Sequence, residues 1–104
     1  MGLKKQFLKS RPVCKVTFTL PKEAINNAKE IKIVGDFNDW DWEKGTPMKL
    51  KDDAYAAIIE LEKGNQYEFR YQLDNQGWVN DWEADGYHAT PYGVDNSVVY
   101  TFEK

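Results

Sequence analysis

The stretch QYEFRYQL, residues 66–73, decides the architecture. Tyr67, Phe69, Tyr71 and Leu73 alternate with Glu68, Arg70 and Gln72. That period of two puts the large apolar side chains on one face of an extended strand and the polar ones on the other. The pattern recurs along the chain. In VCKVTFTL (13–20), Cys14, Val16, Phe18 and Leu20 share a face, and in EIKIVGDF (30–37) Ile31 and Ile33 do. AYAAIIEL (54–61) sets Tyr55, Ala57, Ile59 and Leu61 together, and SVVYTFEK (97–104) sets Val98, Tyr100 and Phe102 together. Lys63-Gly64-Asn65 reads as a hairpin joining two of these runs, and Asn75-Gln76-Gly77 as a second turn. The one helical candidate, KEAINNAKE (22–30), is short and interrupted by two asparagines, so a loop or a single turn is expected. Short strands separated by turns, without a βαβ rhythm, specify an all-β chain folded as an antiparallel β-sandwich.

A chain of 104 residues has room for one such domain. Charge is uneven along it. Residues 1–22 hold six Lys/Arg and no Asp or Glu, so the other residues hold eight against seventeen, a net of −9. Residues 1–11 are therefore expected to be a basic, loosely held arm, and residues 12–104 the sandwich. The acidic body would repel nucleic acid. No apolar run approaches the ~20 residues of a membrane span, so no membrane partner is expected. The polar start carries no stretch of signal-peptide length. Cys14 is the single cysteine and cannot form an internal disulfide, which fits a cytoplasmic location.

The four tryptophans carry the functional signal. Phenylalanine and tyrosine fill the inward strand positions, yet Trp40, Trp42, Trp78 and Trp82 sit at strand ends or in loops among Asp, Asn, Gly and Glu. Folding such loops inward would leave polar groups unsatisfied. Trp42 and Trp82 are read as pins holding loops to the sandwich, and Trp40 and Trp78 as partly exposed platforms. An exposed indole beside amides and carboxylates suits a sugar, whose apolar C–H face stacks while its hydroxyl rim accepts and donates hydrogen bonds.

Three motifs, VGDFNDW (34–40), YEFRYQLDNQGWVNDWEAD (67–85) and NSVV (96–99), resemble the glycogen- and starch-binding carbohydrate-binding module. It is the early-set, immunoglobulin-like domain that precedes the catalytic barrel in isoamylases and branching enzymes. It also forms the glycogen-binding domain of the AMP-activated protein kinase β subunit. The resemblance runs over about residues 12–104 and is nearest to small free-standing bacterial members. It implies non-catalytic binding of α-1,4-glucan (glycogen, starch or maltooligosaccharides) by Trp40, Trp78 and Asn96, with Tyr92 pressing on the curve of the glucan. The kinase-type domain has leucine in place of Tyr92 and lysine in place of Glu68; Arg70, on the same strand face, is the expected substitute for the lysine. Trp82 stands where relatives often have proline.

Other chemistry is poorly supported. The one histidine, His88, reads as a loop residue, and no Cys/His cluster exists for zinc. Trp40 and Trp42 interrupt the ligand pattern that the carboxylates Asp36, Asp39, Asp41 and Glu43 would need for calcium. No catalytic residue, metal or cofactor is expected. The alternative is a protein-interaction module that targets a glycogen-metabolising enzyme.

Overall fold

Residues 2–25, 28–74 and 77–102 are described by a computed structural model. Asn75 and Gln76 of the second turn signal, and the two asparagines of the helical candidate, lie outside them. The N-terminal part of that candidate, Lys22–Ile25, is a single 3-10 turn that buries Ile25.

Two antiparallel sheets form an immunoglobulin-like sandwich. The first has four strands in the order β1 (Gly2–Phe7), β2 (Val13–Pro21), β6 (Ala54–Glu62) and β5 (Lys49–Lys51). The second runs β4 (Thr46–Pro47), β3 (Ile31–Gly35), β7 (Gln66–Leu73), β10 (Asp95–Tyr100) and β9 (Gly86–Ala89), with the two-residue β8 (Trp78–Val79) also paired to β7. The alternation in β2 and β7 has the expected result. Cys14, Val16, Phe18, Leu20, Phe69 and Tyr71 are all fully buried where the sheets face each other. Phe18 meets Phe69 edge to face with ring centroids 5.0 Å apart, a favoured geometry for paired aromatics.

Three expectations are corrected. Gly2–Phe7 is not a loose arm. It pairs with β2 from Gly2↔Thr19 to Phe7↔Cys14, and Leu3 and Phe7 pack against the core. The basic composition hid a strand whose outward positions are Lys4 and Gln6; a charged residue on an edge strand is a common way to protect a sheet edge.

Lys63-Gly64-Asn65 does not close a hairpin, because β6 and β7 belong to different sheets. The turn is a corner between layers, and its backbone groups bond to neither adjacent strand alone. Gly64 N donates to Thr101 O (2.8 Å), Thr101 N to Asn65 O (2.8 Å) and Lys63 N to Pro12 O (3.0 Å). The buried Thr101 hydroxyl adds a bond to Glu62 O at 2.7 Å.

The last strand has the opposite phase to the one expected. Ser97, Val99 and Thr101 are fully buried, while Tyr100 and Phe102 are exposed. Val98, opposite Glu68, is buried but stands apart from the core cluster. Two adjacent valines fit either phase, and Thr101 takes an inward position because its hydroxyl is needed at the corner.

Candidate functional site

The site lies on the outward face of the six-stranded sheet. Its first wall is the loop after β3. An added Cβ at Gly35 would lie 2.3 Å from the Glu68 carbonyl oxygen and 2.9 Å from Phe69 Cβ, so only glycine lets β3 end this close to β7. A short 3-10 turn, Asp36–Asn38, follows. Asn38 braces it, accepting from Gly35 N at 2.9 Å and donating to Ile33 O at 3.0 Å. Phe37 turns inward toward Phe18 and Tyr67. Asp39 and Trp40 then adopt left-handed conformations with φ of 59° and 56°. For a bulky residue such as tryptophan this costs on the order of 1–3 kcal/mol and persists only where the surroundings over-determine it. Trp40 N donates to Gly35 O at 3.0 Å, closing the loop. Asp36 fixes the ring: one carboxylate oxygen accepts from Trp40 Nε1 (3.1 Å) and the other from Glu68 N (2.7 Å).

The floor is the polar face of β7. Glu68 accepts from Asn96 Nδ2 at one oxygen (2.9 Å) and meets His88 Nδ1 at the other (2.9 Å). The Arg70 guanidinium lies 5.1 Å from the centre of the Trp78 ring, a cation–π contact that stiffens both groups. Burial lowers the pKa of Arg70, and its Nε is buried without a hydrogen-bond partner among the described residues. Trp78, opposite Gln72, is 42% exposed.

The far wall is the turn between β9 and β10. Thr90 accepts the chain back by donating from N (3.0 Å) and Oγ1 (2.6 Å) to Val94 O, while Gly93 takes a φ of 80°. Tyr92 is held at the tip and is 88% exposed.

Trp40, Arg70, Trp78, Tyr92 and Asn96 all line one cleft of about 560 Å³, together with Glu68, His88 and Val94. Residues separated by as much as 56 positions are thus brought to one surface. Sequence reasoning missed His88, which belongs to strand β9 and not to a loop. It also treated Glu68 only as a departure from a relative, although Glu68 joins Asn96 to His88. For Glu68 the available signal was its alternation with the half-buried Tyr67 and the buried Phe69; β9 shows no such alternation around His88.

The other two tryptophans lie outside the cleft. Trp42 is half-buried beneath Lys32, whose ammonium sits 4.4 Å from the ring centre and donates to Trp42 O at 3.1 Å. That placement agrees with a pin. Trp82 is 67% exposed, so burial of its ring does not anchor the loop. The neighbouring Asp81 is the anchor. It is fully buried, accepts from Tyr71 Oη (2.7 Å) and Glu83 N (2.8 Å), and donates through its own N to Ser97 Oγ (2.9 Å). Three of the four carboxylates of residues 36–43 are engaged separately: Asp36 as above, Asp39 by Lys44, and Asp41 by Glu43 N. Among the described residues, no three His, Cys, Asp or Glu side chains are grouped to hold a metal ion.

A β-sandwich presenting a rigid, aromatic-walled cleft with a few fixed polar groups defines a binding module. Residues 25–93 match the model of carbohydrate-binding module 48, the isoamylase N-terminal domain, and the chain belongs to this family. It is also similar to the 1,4-alpha-glucan branching enzyme GlgB of Photobacterium profundum, with 34% identity over 77 residues. The match takes in 71% of this chain and 11% of that enzyme, so the chain spans a small part of its relative's length.

Proposed function

We propose that the chain binds α-1,4-glucan without catalysis, with Trp40 and Trp78 stacking on successive sugar faces. The observation that carries this reading is the convergence of both indoles on one cleft with Arg70, Asn96 and Tyr92. Arg70 lines the cleft, and a guanidinium carries several N–H donors suited to sugar hydroxyls. Glu68 and Asn96, already oriented by each other, offer their remaining hydrogen-bonding capacity to the same rim. Tyr92 closes the cleft from the turn and favours a curved chain over a flat one. Family membership and the activity named for the branching enzyme support the same class of ligand. A few stacking contacts and hydrogen bonds correspond to an affinity of roughly micromolar to millimolar.

Co-sedimentation with glycogen and retention on amylose resin test the reading, with cellulose as the negative control. Retention on cellulose alone would reject it. The absence of catalysis is checked by reducing-end and branch-point assays on amylopectin; turnover that survives repurification would overturn that part.

One observation favours a second role. On the opposite sheet, Ile58 is 63% exposed in a shallow groove lined by Lys4, Lys5, Gln6, Lys15 and Thr17. A basic surface with an apolar centre suits an acidic protein partner, which would let the module target an enzyme to glucan. Binding of such a partner would be insensitive to added maltoheptaose, because the two surfaces lie on opposite sheets.

A further inference from the structure

Beyond the cleft, the end of β10 and the residues just after it carry another pair of aromatic rings. Asn96, Val98, Tyr100 and Phe102 occupy alternate positions, and Asn96 is already a cleft residue. Tyr100 is 37% exposed and Phe102 54%, with ring centroids 6.1 Å apart and planes tilted by 37°. Neither belongs to the core cluster or packs against it.

The Tyr100 ring is held in a particular way. Gly86 on the neighbouring strand lies opposite Val98, and a Cβ there would come within 2.6 Å of the Tyr100 hydroxyl. The missing side chain at position 86 leaves room for the hydroxyl end of the tyrosine, while the residue stays partly open to solvent. Tyr100 is also anchored through its backbone, donating from N to Asp85 Oδ2 at 2.8 Å.

Position on the sheet connects this pair to the cleft. Across β7, Val98 faces Glu68 and Tyr100 faces Gln66, so the rings follow the Glu68–Asn96 floor along the strand. At strand spacing, Tyr100 lies roughly 14 Å beyond Asn96. A polymer longer than the cleft that leaves in this direction meets an aromatic surface next. Stacking suits that role because it engages every repeat of a homopolymer equally.

We propose that Tyr100 and Phe102 form an outer subsite for the part of a long α-glucan that extends past Glu68 and Asn96. The proposal rests on the glucan-binding reading of the cleft. It is tested by calorimetric titration of the full chain with maltotetraose and with a linear maltodextrin several times longer. Tyr100→Ala and Phe102→Ala should each weaken the longer ligand by roughly three- to tenfold, the scale of one stacked ring, and leave maltotetraose unchanged. Tyr100→Phe should retain long-chain affinity, because the ring face is kept. Gly86→Ala, which displaces the ring without removing it, should weaken the long ligand only.

Longer chains offer more binding registers in any case, so the variant-to-wild-type ratio is the readout. Unchanged long-chain affinity in folded Phe102→Ala and Tyr100→Ala would overturn the subsite while the cleft reading stands. Equal losses for both ligands would also overturn it. If wild-type protein binds neither ligand, the cleft reading falls and the subsite with it.

Discussion

Replacing Trp78 by alanine separates a binding role from a structural one. A tryptophan exposes up to about 250 Å² when uncovered, so at 42% exposure roughly 100 Å² of Trp78 is open to solvent. A sugar stacked on one face would cover roughly half of that, worth about 1.3 kcal/mol at 25 cal/mol per Å². Aromatic stacking adds about 0.5–1.5 kcal/mol. Trp78→Ala should therefore weaken maltoheptaose binding by about 2–3 kcal/mol, roughly 30- to 150-fold in Kd. The cost to folding should be smaller. Trp78 sits in a two-residue strand, and losing its contact with Arg70 removes on the order of 1 kcal/mol. Phe69→Ala, by contrast, empties a fully buried site and should cost about 3–5 kcal/mol. Calorimetric titration gives the affinity, and urea unfolding of the same preparations gives the stability. A folded Trp78→Ala variant that binds as tightly as wild type would refute the platform argument. So would a variant as unstable as Phe69→Ala, since the ring would then be a core group.

Asp36→Ala removes the acceptor for both Trp40 Nε1 and Glu68 N. Maltoheptaose affinity should fall about three- to tenfold as the ring loses its fixed orientation, with near-native circular dichroism; unchanged affinity would show that the loop alone orients the ring. Gly35→Ala should cost about 3 kcal/mol or more, because the clash at 2.3 Å is with backbone that β3 and β7 hold in register; a urea midpoint equal to wild type would contradict it. The Tyr71 pKa is raised first by burial and then by the charge and hydrogen bond of Asp81. A group whose folded pKa is raised contributes stability that is complete below the unfolded value, near 10, and declines as pH rises above it. Stability should fall above about pH 10 in wild type and fall less steeply in Tyr71→Phe, which at neutral pH should cost about 1–3 kcal/mol by leaving Asp81 Oδ2 without its donor. Denaturant titrations at pH 7 and pH 11 check both points.

The sequence by itself determined the class of fold, because a strand buried on one side imposes a period of two on its own residues. That rule is local, and it identified the inward faces of β2 and β7 without reference to partners. The displaced tryptophans were equally legible: a large apolar ring among acidic loop residues conflicts with burial wherever the loop goes. Trp40 and Trp78 could therefore be singled out, and resemblance supplied Asn96, Tyr92 and Arg70. Pairing was not legible in this way. Whether β6 and β7 form a hairpin or turn a corner depends on Thr101 and Pro12 accepting the turn's backbone donors, and both are distant in sequence. The phase of β10 and the pairing of the basic Gly2–Phe7 strand were likewise decided by neighbours on other strands. The same holds for the site. Alternation placed Glu68 and Arg70 outward, but only the packed sheet set Glu68 between Asn96 and His88 and put Arg70 over Trp78. Periodicity is a property of one strand, whereas a binding surface depends on the register between strands, which long-range hydrogen bonds establish.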